Sequence, residues 1–422
     1  MRLFNESFLC KTASFLSAVF CRLPYGFNLA IARTIGGLMH CFMGRKRVVV
    51  EANLRTAFAD QRSLEDIRRI SRDVFKNFTS SFMDLLYLPK IKVLGFEKIV
   101  TLEGRENIDA ALAKGKGCIF LAIHSGSWEL ASLVGSMSEH PYNVVANDQP
   151  KAPKLNEFLN DYRRLAGAKV IPAGTATRDI LRALQANEIV SLVLDQGGKG
   201  GVAVEFFGKT ASMSTGAIRL GLKYQTPVCP VWMERQPSGL HVLKVFPALK
   251  LESTDDWEKD VRDNIQRAVR IVEGLLRANP SEAMWFYKIY KYTTQADVLI
   301  LDDGKMGHLR QSQAVEESLR AALSKINKKV RLKTLEVVFK SRWHQKLFAV
   351  YCWKAQFFSF LRKEEALKVF VKDSCYKNLL SFKPDYIISC GSQMAGISFI
   401  LSKIWSVHPI HILKPGILFY RW

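Results

Sequence analysis

The chain has 422 residues, 48% hydrophobic and 24% charged. That globular balance excludes wholesale disorder and fibrous or coiled-coil architecture, and at about 150 residues per domain it leaves room for two or three domains. The 61 Lys and Arg against 39 Asp and Glu give a net +22, so anionic partners are expected: an acidic protein, a phosphorylated lipid, a membrane surface or nucleic acid.

In chain order, Phe4, Phe8, Phe15, Leu16, Val19, Phe20 and Leu23 recur at helical spacing, and a second apolar stretch runs over 27–43. Lys11, Arg22 and Arg33 interrupt both before they reach the ~18–20 uncharged residues of a membrane span. A helix lying in a membrane interface, with Arg45, Lys46 and Arg47 beside acidic headgroups, fits this pattern; a cleaved signal peptide and an ordinary amphipathic core helix are the alternatives. Residues 63–88 read as all-helical, with Ser63 three positions before Asp66 as a start signal.

From Gly117 the chain alternates apolar strands with helical segments, an α/β pattern. Strands are predicted at 118–123, 143–146, 169–171, 189–194, 228–233 and 241–246, and helices at 155–165, 177–186, 215–224 and 256–278. A second α/β unit follows residues 291–295: strands at 297–302, 330–337, 385–389 and 411–413, and a helix at 309–324. The partition is therefore a membrane-associating helical segment (1–50), an α/β catalytic-size unit (51–295) and a partial α/β unit (296–422). The sequence stops at Phe419–Trp422 directly after strand-like residues, which reads as half of a two-lobed fold.

The chemistry concentrates first at His124-Ser-Gly-Ser-Trp-Glu129, at a strand end opening a helix, where α/β folds bind ligands. His124 at the strand tip is a candidate general base and Glu129, folding back from the first helical turn, its orienting carboxylate. Such a base takes the proton of a sugar or glycerol hydroxyl as it attacks a thioester, with backbone N–H groups near Gly126 and Ser127 as oxyanion donors. The bland alternative is that Glu129 favours the helix N-terminus and His124 is a hydrogen-bonded strand-end histidine.

These residues stand in a longer ordered set: Arg47–Leu54 with Ala57-Phe58, His124 to Glu129, Asn156 to Arg164 with Gly167-Ala168, Leu194–Gly197, Glu205–Gly208, Ser214–Gly216 and Pro280–Trp285. In that set the sequence resembles the late (lauroyl/myristoyl) acyltransferases of lipid A biosynthesis over residues 1–295. The resemblance implies an acyltransferase-type mixed sheet flanked by helices, with His124 and Glu129 as the catalytic pair. It implies acyl carrier protein as donor and a hydroxyl of a phosphorylated glycolipid as acceptor. It further implies polar substrate-binding residues at Arg164, Asp195, Gln196 and Lys288, and work at the cytoplasmic face of a bacterial inner membrane. Asp195 ends a strand beside the same sheet edge and could orient a base or an arginine; a solvated helix face at Arg163-Arg164 and a simple turn at Asp195-Gln-Gly are the alternatives. Residues 286–291 read Phe-Tyr-Lys-Ile-Tyr-Lys where the family usually has a histidine and an arginine pair, which keeps charge but not bidentate geometry. The Glu-Gly-Thr-Arg block of glycerol-phosphate acyltransferases is missing, which ranks another glycerolipid acceptor second.

Glycines mark the second unit in Asp302-Asp-Gly304-Lys305-Met-Gly307-His308-Leu-Arg-Gln311. A glycine turn before a helix lets backbone approach a phosphate, with Lys305 and His308 as donors; tight turns alone also demand glycine. With Ser389-Cys-Gly391 and Ile412–Pro415, these residues are similar to the mitochondrial-fission (elongated-mitochondria) family of GT-B-type glycosyltransferase-like proteins. That resemblance implies a Rossmann-like half of a GT-B fold over 296–422, with Gly304, Lys305, Gly307, His308 and Gln311 as ligand candidates and glycosyl transfer as the alternative function. Met306 stands where proline is usual and Gln393 near a usual basic position.

The eight cysteines are dispersed, with no C-x-x-C pair or metal-type histidine spacing, so the expected state is reduced, with no metal and no cofactor. Trp343, Tyr351, Trp353, Phe357 and Phe358 interleave with Arg342, Lys346 and Lys354 at helical spacing. That reads as an amphipathic packing or membrane face, so nucleic acid is not the expected partner.

Overall fold

A computed structural model describes residues 6–58, 61–133, 137–146, 152–173, 176–357 and 365–413. Phe4, Phe358, residues 414–422 and the side chains of Trp353 and Phe357 lie outside what is described, and with them the Lys414-Pro415 pair and the strand-like end. The protein is mixed α/β and divides into two compact units, one from residues 1–43 and 64–285, the other from residues 44–63 and 286–422.

The first unit opens with helices α1 (Glu6–Phe20) and α2 (Tyr25–Phe42) and the long α4 (Leu64–Leu94); α3 (Gly44–Phe58) folds with the second unit. Helix α2 lies against α4 at Gly36, where a Cβ would stand 2.6 Å from the Lys76 Cα and 2.7 Å from the Phe75 carbonyl oxygen. Only a hydrogen fits there, so the two backbones approach more closely than any side chain permits.

Among the described residues of this unit a seven-stranded sheet runs in the order β1-β9-β8-β2-β5-β3-β4. Its strands are β1 (Val100–Glu103), β2 (Cys118–Ala122), β3 (Tyr142–Ala146), β4 (Ala168–Pro172), β5 (Ile189–Val193), β8 (Val228–Arg235) and β9 (His241–Val245). All neighbours pair parallel except β8 and β9. The predicted strands from 118 to 246 all appear; the central β2 and β8 are buried on both faces and read as near-continuous apolar runs, whereas β9 alternates. Phe120 and Tyr142 are among the largest fully buried side chains, and burying such a ring contributes about 1.5–3 kcal/mol. The sequence reading missed β1 and the hairpin β6 (Val202–Phe206) to β7 (Lys209–Met213), whose Phe207-Gly208 turn has both residues at positive φ.

The second unit holds a four-stranded, all-parallel sheet in the order β11-β10-β12-β13. Its strands are β10 (Gln295–Asp302), β11 (Lys329–Glu336), β12 (Tyr386–Cys390) and β13 (His408–Ile412). The chain leaves β10 on one side for β11 and returns to its other side for β12, so the order reverses between β10 and β12. Within this unit the Arg55 guanidinium of α3 donates to the Ile404 carbonyl at the end of the helix Ser392–Trp405.

Gly36→Ala is expected to lower the melting temperature by the equivalent of about 1–3 kcal/mol, the overpacking cost exceeding the ~1 kcal/mol that alanine gains in helix propensity. Thermal unfolding followed by circular dichroism checks this; an unchanged or raised melting temperature would contradict the close approach.

Candidate active site

Strands β2 and β5 pair in register from Cys118↔Ile189 to Ala122↔Val193. Two residues beyond the last pair, on the same offset, stand His124 and Asp195. The imidazole Nδ1 lies 3.0 and 3.2 Å from the two Asp195 carboxylate oxygens, and the His124 backbone N–H donates to Oδ2 at 3.2 Å. Both side chains are mostly buried, at 19% and 16% exposure. An ionised carboxylate only accepts, so Nδ1 carries the proton and the Nε2 lone pair is the ring's basic site. The Gln196 amide nitrogen is 3.5 Å from Nδ1, and the ring meets Trp128 edge-on at 5.7 Å.

Burial works against protonating His124, but the Asp195 charge and hydrogen bond, with Glu129's charge added, outweigh it, and the pKa is raised above the ordinary histidine value. The expectation that Glu129 folds back onto the imidazole is corrected here. Its carboxylate is gripped in bidentate fashion by Arg163, Nε to Oε2 at 2.9 Å and Nη2 to Oε1 at 2.7 Å, and Arg163 also donates to Asn160 Oδ1. Glu129 sits in a 3-10 turn, Trp128–Leu133, not in the first turn of an α-helix, and among the described contacts it acts on the ring through charge.

The arginine that the structure brings to Glu129 is Arg163, while Arg164 turns elsewhere. On the helix Pro153–Leu165 the two point about 100° apart. Arg164 is 49% exposed and paired with Glu157 and Asp161, whereas Arg163 is 15% exposed. Gly126 also departs from expectation: its N–H donates to the Glu282 carbonyl at 2.8 Å and so is not available to an oxyanion.

A buried polar cluster behind the 124–129 turn was not anticipated. Asp84 on α4 is fully buried and accepts from Ser127 Oγ at 2.7 Å, the Tyr25 hydroxyl at 2.8 Å and Arg235 Nη2 at 2.5 Å, with His241 Nε2 at 3.2 Å. Burial opposes its charge, yet the Arg235 guanidinium holds it well below the usual carboxylate range, while burial keeps the His241 pKa low. Asn77, Ser81 and Asp84 form one stripe of α4 at i, i+4, i+7 spacing. Asn77 donates to Glu282 Oε1, and Ser81 to the Gly126 carbonyl at 2.9 Å. On the other side Met284 N–H donates to the His124 carbonyl, and Ser125 bridges Ala283. Gly126 has φ +53°, and a Cβ there would meet the Met233 carbonyl oxygen at 2.5 Å. The available signal was Asp84 itself, a lone acid in the apolar run Phe82–Leu88.

The remaining candidates lie in the second unit. Lys288 donates to the Ser406 carbonyl at 3.0 Å. Gly304, Lys305, Gly307, His308 and Gln311 gather at the carboxyl edge of β10 and β12. Gly304 has φ +78°, Gly307 lies in the first turn of the helix Met306–Ser324, and Gln311 accepts from Cys390 Sγ at 2.9 Å. His308 Nδ1 stands 2.9 Å from Asp303 Oδ2, and the Lys305 ammonium 3.8 Å from it, so both expected phosphate donors face a carboxylate. Among the described residues no group of three His, Cys, Asp or Glu is placed to hold a metal.

Residues 9–292 match the family described as bacterial lipid A biosynthesis acyltransferase, more than half of the chain. The chain belongs to that family. It is an acyltransferase family member. Curated relatives include a phosphatidylinositol mannoside acyltransferase of Mycobacterium tuberculosis, 29% identical over 200 residues that cover 46% of this chain and 59% of that protein. Another, of the same name, from Mycolicibacterium smegmatis is 27% identical over 157 residues, covering 36% and 50%. The chain thus spans between half and three fifths of the length of these relatives. The family match ends at residue 292, before the second sheet, and carries no glycosyl-transfer activity for residues 296–422.

Replacing Arg163 by alanine leaves the Glu129 carboxylate part-buried and unpaired. The variant is expected to lose at least about tenfold in acyl-transfer kcat/KM, one step of ~1.4 kcal/mol, while Arg164→Ala stays within about twofold of wild type. Equal losses in both variants would contradict the assignment of the site arginine.

Proposed function

We infer that the chain is a membrane-associated O-acyltransferase. It moves a fatty acyl group from a thioester on acyl carrier protein to a hydroxyl of a phosphorylated glycolipid, with His124 as general base. The observation that carries this reading is the His124–Asp195 contact at the edge of the sheet, in a chain of this family.

The acceptor hydroxyl gives its proton to His124 Nε2 as its oxygen bonds to the thioester carbonyl carbon. Asp195 holds the ring in the Nδ1–H tautomer and stabilises the imidazolium. Collapse of the tetrahedral intermediate breaks the carbon–sulfur bond, and the imidazolium returns the proton to the leaving thiolate. Glu129, restrained by Arg163, adds negative charge near the ring. Gln196 lies beside the same edge as a substrate-binding amide. No acyl-enzyme is required, because the donor is already activated.

Net charge +22 favours both an acidic carrier protein and a phosphorylated acceptor. The family description favours a lipid A-type acceptor, and the relatives' names favour a mannosylated phosphoinositide. Either acceptor is a phosphoglycolipid with free sugar hydroxyls. No described helix is long and apolar enough to cross a membrane. Exposed Phe8, Phe15, Phe27, Leu38 and Phe42 on α1 and α2, with Lys11, Arg22 and Arg33 among them, support attachment to the cytoplasmic face of a bacterial inner membrane through those two helices.

Purified protein with acyl carrier protein thioester is expected to add one acyl group to a lipid A precursor or to a phosphoinositide mannoside, read by mass spectrometry. His124→Ala should lose about 10²–10⁴ in rate. Because the base must be neutral and its pKa is raised, the rate should fall with acid along a limb centred above pH ~6.5. Asp195→Asn removes the charge that favours the imidazolium, so the limb should move to lower pH as the maximal rate drops. Transfer to neither acceptor, or undiminished transfer by His124→Ala, would contradict the reading.

A further inference from the structure

In the second unit the helix Arg342–Phe357 turns Phe348 and Cys352 into the core, where they pack with Leu367, Val371 and the helix Ser392–Trp405. The opposite stripe carries Trp343, Leu347 and Val350 at i, i+4, i+7, exposed to 73%, 57% and 53%. Anchoring of the inner face fixes these three apolar side chains outward. Exposed Arg342, Lys346 and Lys354 flank them, and residues 342–357 contain no Asp or Glu. The Lys346 ammonium lies over the Trp343 ring, 5.4 Å from its centroid. An indole at the interface level, aliphatic neighbours and an all-basic border are the composition of a helix lying in a headgroup layer. Charge complementarity selects an anionic surface, and residues 295–422 as a whole carry 21 basic against 10 acidic residues.

We propose that this helix is a second lipid-docking surface, set in residues beyond the end of the family match, and that its occupant is an anionic phospholipid bilayer. Trp343, Leu347 and Val350 enter the boundary between headgroups and acyl chains while Arg342, Lys346 and Lys354 stay with the phosphates. The assignment is independent of the acyl-transfer reading, since it concerns different residues and needs no turnover.

The test uses the full chain with Leu347→Cys carrying an environment-sensitive nitrobenzoxadiazole label, in a background of Cys10→Ser, Cys21→Ser and Cys41→Ser. The remaining cysteines are buried. Vesicles of phosphatidylcholine with phosphatidylglycerol are expected to brighten and blue-shift the label, and phosphatidylcholine alone to leave it unchanged. Adding Arg342→Glu and Lys346→Glu should weaken the response more than about tenfold in lipid concentration. Three results would overturn the proposal: no response while the protein still sediments with anionic vesicles, an equal response to neutral vesicles, or a lipid-free blue shift that grows with protein concentration. The first would place binding elsewhere on the chain, the second would remove the anionic selectivity, and the third would make a second copy the occupant.

Discussion

Parallel pairing between β2 and β5 sets His124 and Asp195 at one level of the sheet edge, and the chemistry we propose rests on that register. A slip of one residue would turn every side chain of one strand to the other face and separate imidazole from carboxylate. Register is enforced by burial: Cys118, Ile119 and Phe120 face Ile189, Val190 and Ser191 in the middle of the sheet, all buried. The apolar runs that form the core thereby also fix the geometry of the candidate base.

The turn that follows β2 is held by polar contacts, and these are costly to make. Asp84, Arg235 and His241 are each almost wholly removed from water, and such groups are stabilising only when they satisfy one another. Here the Asp84 carboxylate has donors from Ser127, Tyr25 and Arg235, and its helix also supplies Ser81 to the Gly126 carbonyl. The result is a turn fixed from α4 on one side and from residues 282–284 on the other, so that His124 presents its ring to the sheet edge in one orientation. Removing one member would strand the others, which makes this network a specifier of turn geometry more than a source of net stability.

The sequence made His124 legible because it ends an apolar strand, and Asp195 because it ends another. That Asp195 ends a strand beside the same sheet edge and could orient a base was readable; that it, and not Glu129, meets the ring was not, because β3 and β4 come between β2 and β5 in the chain yet lie to one side of them in the sheet, and no local pattern reveals that order. Glu129 was the nearer carboxylate in sequence, but Asp195 is the one in contact with the ring. Arg163 and Arg164 are adjacent in the chain, and the choice between them turned on about 100° of helix rotation, which depends on what the helix packs against. Fold class followed from alternation of strand and helix in both units. The membership of α3 in the second unit did not, since its link is a few contacts such as Arg55 to the Ile404 carbonyl across a long stretch of chain.

The tautomer of His124 is the most direct measure of the central claim. In protein carrying ¹⁵N-labelled histidine, the neutral ring of His124 is predicted to show a protonated Nδ1 and a bare Nε2, and Asp195→Asn to abolish that preference. A neutral ring protonated at Nε2, or a spectrum indifferent to Asp195→Asn, would contradict an imidazole oriented by this carboxylate to act as a base.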